Sequence, residues 1–152
     1  MTGENKILTI DCGKSGGVAI GSLLTNDVEI MKLTETFEEL TNQFIFYAGA
    51  VAYVETQNLR KIDCMTGRWL NIHKLCLHYQ RIKDALECCE IEVHDLSPRV
   101  WQKPLKIKSK TYKDRKKELK EHAIKNHINQ KVTNWNCDAL LMLDFIKNKY
   151  GF

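Results

Sequence analysis

Apolar positions fall into short blocks that mark out the elements of the chain. An apolar run opens Lys6–Asp11, and Gly17–Leu23 and Val28–Leu33 follow at hairpin spacing, the last after a Thr25-Asn26-Asp27 turn. Three strands so spaced predict an antiparallel meander. Thr34 or Thr36 can cap a helix over Phe37–Gly49, where Phe37, Leu40, Phe44 and Tyr47 recur at helical spacing. Val51–Glu55 reads as a buried fourth strand. Cys64–Cys88 reads as a long helix with Leu70, His73, Leu77, Ile82 and Leu86 inward, and Ile91–Leu96 as a fifth strand. Ser97-Pro98 fits the cap and first position of a short helix carrying Arg99 and Trp101. Pro104–Lys110 is a basic loop and Thr111–His127 a charged helix. Asn134–Lys149 is a last helix with Ala139, Leu140, Leu143 and Ile146 on one face. The order βββαβαβ followed by helices predicts an α/β fold with a five-stranded mixed sheet flanked by helices. No repeat or linker interrupts it, so residues 1–152 are expected to form one domain.

Composition narrows the function classes. At 152 residues and 43% hydrophobic, the chain is long enough to bury a core. No apolar run approaches a membrane span, and MTGENK lacks a signal-peptide core. Cytoplasmic residence is expected, in a bacterial host cell if the protein is phage-encoded. The six cysteines are then reduced thiols, with no C-x-x-C pair to suggest zinc. Charge is concentrated: Arg99 to Lys125 holds eleven bases against three acids, a net +8 within a chain of +4. Such a block is the footprint of a polyanion.

One stretch, ILTIDCGKSGGVAI, raises the question of chemistry. Its GKS is no phosphate loop, because Leu8 stands where that motif needs glycine and a strand follows Ser15. Asp11 therefore ends a core strand, where an unpaired charge is expensive. Glu55 ends the fourth strand, and Asp138 interrupts the apolar start of the last helix. If the first and fourth strands are parallel neighbours, their carboxylates meet, and a helix across that end adds the third. Three such acids repel one another unless cations intervene. Hard oxygen ligands suit Mg²⁺ or Mn²⁺, and two ions roughly 3.5–4 Å apart can drive phosphodiester hydrolysis.

These segments resemble the RNase H-like superfamily, and within it the RuvC-type Holliday junction resolvases of bacteria, phages and poxviruses. LTIDCG, VAYVETQ, SPRVWQK, TYKDRKKEL and CDALLML match the family's motifs in order over nearly the whole chain. The resemblance implies a metal-dependent endonuclease that resolves four-way junctions by paired nicks during recombination or replication. The alternative is a branched-DNA-binding protein of the same fold with weak or relaxed cleavage of forks, flaps and three-way junctions. It implies Asp11, Glu55 and Asp138 as ligands of two Mg²⁺ or Mn²⁺ ions. The family's fourth ligand falls at Trp135, which cannot bind metal, so Asn134 or Asn136 or water must serve. Lys113 and Arg115, with Lys103 next, are implied beside the scissile phosphate. Lys108, Lys110, Lys116, Lys117 and Lys120 are expected on backbone phosphates, with Arg99 and Lys103 in the same DNA-contacting segment. Gln57, Leu59 and Arg60 form the loop expected at the branch point. Trp69 and Trp101 are expected to pack, and the five histidines to be structural or at the surface. A two-fold junction implies a homodimer, through the Cys64–Cys88 helix.

Overall fold

A computed structural model of the chain describes residues 3–13, 15–58 and 65–151. Strands β1 (Lys6–Ile10), β2 (Gly17–Ser22), β3 (Val28–Lys32), β4 (Val51–Glu55) and β5 (Glu92–Leu96) form one sheet in the order β3-β2-β1-β4-β5. β1 and β2 pair antiparallel, as do β2 and β3; β4 lies parallel to both β1 and β5. The mixed sheet expected from the apolar blocks is the one observed.

Central strands read as continuous apolar runs because both faces are covered. Leu8, Ile10, Val18, Ile20, Ala52 and Val54 face helices α1 (Phe37–Phe44) and α2 (Trp69–Cys88), meeting Leu40, Phe44, Ile82 and Leu86. Ile7 and Ala19 face the other way, toward α3 (Pro98–Gln102), α4 (Tyr112–Asn126) and α5 (Cys137–Tyr150). Alternation along β1 thus assigns successive residues to opposite layers. Thr9, buried on the second face, donates its hydroxyl to the Ala139 carbonyl at 2.7 Å and ties β1 to the first turn of α5. A Cβ at Gly21 would come within 2.9 Å of Leu143, so glycine there lets α5 lie close on β2.

Two helices depart from the expected pattern. α1 is capped by Thr36 in a full capping box with Glu39, but ends at Phe44 and continues as a 3₁₀ turn, Ile45–Tyr47. Gly49, at φ +83°, then turns the chain into β4. In α2 only the C-terminal half is inward, through Ile82, Ala85 and Leu86. Leu70 and Leu77, expected inside, are 48% and 53% exposed, and His73 is also exposed. Trp69, expected to pack, is likewise half exposed. Cys64 lies outside the described residues.

Candidate metal centre and basic face

The parallel register of β1 and β4 aligns their carboxyl ends: Ile10 pairs with Val54, so Asp11 and Glu55 leave the sheet side by side. Both side chains are buried. The Thr9–Ala139 bond brings the start of α5 to the same edge, and with it Asp138. The three acids feel one another. Burial, and after it the field of Asp138, pushes the Asp11 carboxyl up to about 6, against the pull of the Gly13 amide, the Lys116 ammonium and a hydrogen bond with Glu55. Burial, followed by Asp11 and Asp138, pushes Glu55 up to about 8, while Trp101 and Lys116 pull it down.

Each acid has its own holder. The Gly13 amide donates to Asp11 Oδ1 at 2.9 Å. The buried Trp101 indole donates to Glu55 Oε1 at 3.1 Å, and the Gln57 amide stands 3.5 Å from Oε2. Lys116 reaches from α4 to Asp138 Oδ2 at 2.6 Å, and the Cys137 thiol donates to Oδ1 at 3.3 Å. Burial disfavours the Lys116 ammonium, but Asp138 more than offsets this and holds its pKa above the ordinary lysine value.

The donor set fits a hard divalent cation. It is oxygen-only, Asp11 and Glu55 in it are buried, and burial with mutual repulsion raises both of these carboxyls, Glu55 far enough to hold a proton at neutral pH. Lys116 already supplies a positive charge at this edge. The carboxylates are gathered but not closed: among the described residues no three His, Cys, Asp or Glu side chains form a ready cage.

Trp135, at the position of the expected fourth ligand, packs on the start of β2 instead. A Cβ at Gly17 would lie 2.7 Å from the Trp135 ring. Asn136 is buried, with its amide oxygen accepting from the Thr133 amide and its nitrogen donating to the Lys131 carbonyl, so it braces the turn before α5. Asn134 is exposed, and its backbone carbonyl accepts from the Cys137 thiol. Asp144 is taken up by His127 and Asn126, away from the three acids.

The basic residues divide. Arg99, Lys103, Lys108, Lys110, Lys113, Arg115 and Lys117 are exposed, Lys120 is half-buried, and Leu59 and Arg60 lie outside the described residues. Arg115 donates to the Gln102 side chain. Lys116, expected on a phosphate-facing surface, is the base that enters the acid cluster. Its position was readable: Lys116, Leu119 and Ala123 share the buried face of α4 at spacings of three and four. The Trp101–Glu55 bond had no comparable signal, because it joins residues 46 apart. Two of the histidines make side-chain contacts, His127 with Asp144 and His94 stacked on Tyr53.

Among the described residues no helix is long and apolar enough to cross a membrane. No family model matches the chain, and no curated protein does. Solved structures do. The chain is similar to T. thermophilus RuvC in complex with a Holliday junction substrate, with 14% identity over 96% of each chain and a TM-score of 0.58. It is similar also to another Thermus thermophilus RuvC structure, with 15% identity, the same coverage and the same TM-score. The fold of this chain is therefore RuvC-like.

Proposed function

We propose that this protein is a divalent-metal-dependent endonuclease selective for branched DNA, resolving four-way junctions by paired nicks. The observation that carries the reading is the meeting of Asp11, Glu55 and Asp138 at one sheet edge, beside a helix rich in lysine. Two Mg²⁺ or Mn²⁺ ions held there would supply an activated water and stabilise the leaving oxygen.

The chain's own groups supply the rest. Trp101 fixes Glu55 through one oxygen and leaves the other toward the site. Lys116 neutralises Asp138 in the free protein, and its ammonium would be available to the scissile phosphate were a bound cation to balance that carboxylate. Lys113 lies one turn nearer the start of α4, and Arg115 with Lys103 borders the same side. Asn134 is the nearest candidate for a neutral fourth oxygen. Arg99, Lys108, Lys110, Lys117 and Lys120 neutralise backbone phosphates without reading sequence. Gln57, Leu59 and Arg60 meet the branch. The exposed Trp69, Leu70 and Leu77 of α2 give a second copy an apolar surface, and a two-fold dimer sets two active sites on opposed strands.

Trp135 favours a second reading, a branched-DNA-binding protein with weak cleavage, since it removes one negative ligand from the metal site. Incubation of the protein with a labelled four-way junction, forks, flaps and three-way junctions, with EDTA, Mg²⁺ or Mn²⁺, separates the two. Symmetric metal-dependent nicks that vanish in Asp11→Asn while binding persists are expected. Junction binding with no metal-dependent nick would leave the second reading alone standing.

A further inference from the structure

Tyr112 is the most exposed large apolar side chain of the chain's basic segment. It is 85% accessible, although it occupies the first position of a well-capped helix. At 100° per residue, Tyr112, Lys116, Leu119 and Ala123 fall within about 60° of arc on α4. Leu119 and Ala123 are buried against α5, and Lys116 reaches Asp138. Tyr112 thus lies on the inward face of its helix, about 6 Å along the axis beyond Lys116. There, one turn before the Lys116 that reaches Asp138, the ring stands in solvent.

The ring's mount is rigid. Thr111 accepts from the Asp114 amide and donates to the Asp114 carboxylate at 2.6 Å. The preceding loop is latched to the same helix, because Glu118 accepts from the backbone amides of Lys108 and Ser109 and from the Ser109 hydroxyl at 2.6 Å. Exposed Lys110 and Lys113 flank the ring. A solvent-facing aromatic on a rigid helix start among cations is an arrangement in which a strand is held by its phosphates and one base stacks on the ring.

We propose that Tyr112 is a nucleobase-stacking residue, taking an unpaired or splayed base of the DNA strand next to the site. Its partner is a base rather than a protein, given the net +8 of the surrounding segment. Stacking is tolerant of sequence because every base has a π-face. The assignment rests on the branched-DNA reading above. It gives that site a selection rule of its own, since a base within intact duplex is not available to the ring.

The test uses the full chain in EDTA, with four-way junctions carrying 2-aminopurine at one position at a time around the branch, and the matching duplex. Wild type is expected to quench the probe at one position. Tyr112→Phe should keep the quench and bind within about twofold of wild type. Tyr112→Ala should lose the quench and bind the junction about 5- to 150-fold more weakly, the range for loss of one base–aromatic stack. Its duplex affinity and melting temperature should stay unchanged. If wild type binds the junction and Tyr112→Ala binds it equally well with the quench retained, the stacking assignment alone is overturned. If Tyr112→Ala instead shifts the oligomeric state, the ring belongs to a protein contact and the assignment is also overturned. If wild type prefers no branched DNA, the nuclease reading falls and takes this one with it.

Discussion

Replacing Glu55 by Gln should stabilise the metal-free protein at alkaline pH. Glu55 is 7% exposed, and burial with the neighbouring acids lifts its carboxyl from 4.5 to about 8. The folded state therefore binds a proton more tightly than the unfolded chain does. Between pH 4.5 and 8 the unfolded chain releases that proton first, so stability falls as pH rises through this window and the full loss is present above pH 8. At about 1.4 kcal/mol per unit the displacement sets an upper bound on the order of 4–5 kcal/mol, and relaxation of the site reduces it to about 2 kcal/mol in practice. Gln removes the charge and keeps an oxygen for the Trp101 indole, whose bond of 3.1 Å lies in the interior. In EDTA at pH 8.5, Glu55→Gln should melt about 4–8 °C above wild type, at about 2–4 °C per kcal/mol for a chain of this length. Near pH 4.5 the two should nearly coincide. Saturating Mg²⁺ should raise the wild-type melting temperature and leave the variant's almost unmoved. A variant less stable than wild type at pH 8.5, or a wild type whose stability climbs between pH 5 and 8, would refute the premise of under-neutralised acids.

Three further outcomes follow from the same geometry. Trp101→Phe keeps the buried ring and removes the donor to Glu55 Oε1; hydrogen bonds to charged groups contribute about 1.5–3 kcal/mol, so Mn²⁺ affinity by calorimetry should fall about tenfold or more, and an unchanged affinity would deny Trp101 a positioning role. Gly17→Ala sets a methyl 2.7 Å from the Trp135 ring and 2.8 Å from its carbonyl oxygen; overpacking of this kind costs about 1–3 kcal/mol, and a melting temperature equal to wild type would show that Trp135 yields freely. Thr9→Val preserves shape but leaves the Ala139 carbonyl without its 2.7 Å donor; a loss of about 1 kcal/mol should appear in denaturant unfolding, together with weaker metal binding because Asp138 adjoins that carbonyl.

What the sequence disclosed and what it withheld divide along a physical line. Strand alternation is local, so all five strands were legible, and the parallel β1–β4 pairing followed once their order was known. Asp11 and Glu55 stood out because a carboxylate closing an apolar run has no cheap local explanation. The contacts that tune them are not local: Trp101 reaches Glu55 across 46 residues and Lys116 reaches Asp138 across 22. A lysine in a run of bases looks like its neighbours until the helical phase set by Leu119 and Ala123 turns it inward. The same phase locates Tyr112, which composition alone would leave among surface residues. Helix extent failed where packing ends, at the exposed first half of α2 and the 3₁₀ close of α1. Trp135 joins the two kinds of evidence. As a residue type it could be excluded as a ligand from the sequence, but only the close approach to Gly17 explains why a ring is there: it fills the space over a glycine at the start of β2. With that space filled by carbon, the negative charge of the site rests on three carboxylates, and Lys116 balances one of them without help from a fourth. A cation at this edge would meet an Asp138 whose Oδ2 is already on Lys116 and whose Oδ1 is on the Cys137 thiol. Lys116 and any such cation would compete for the charge of one carboxylate, whichever oxygen the cation took.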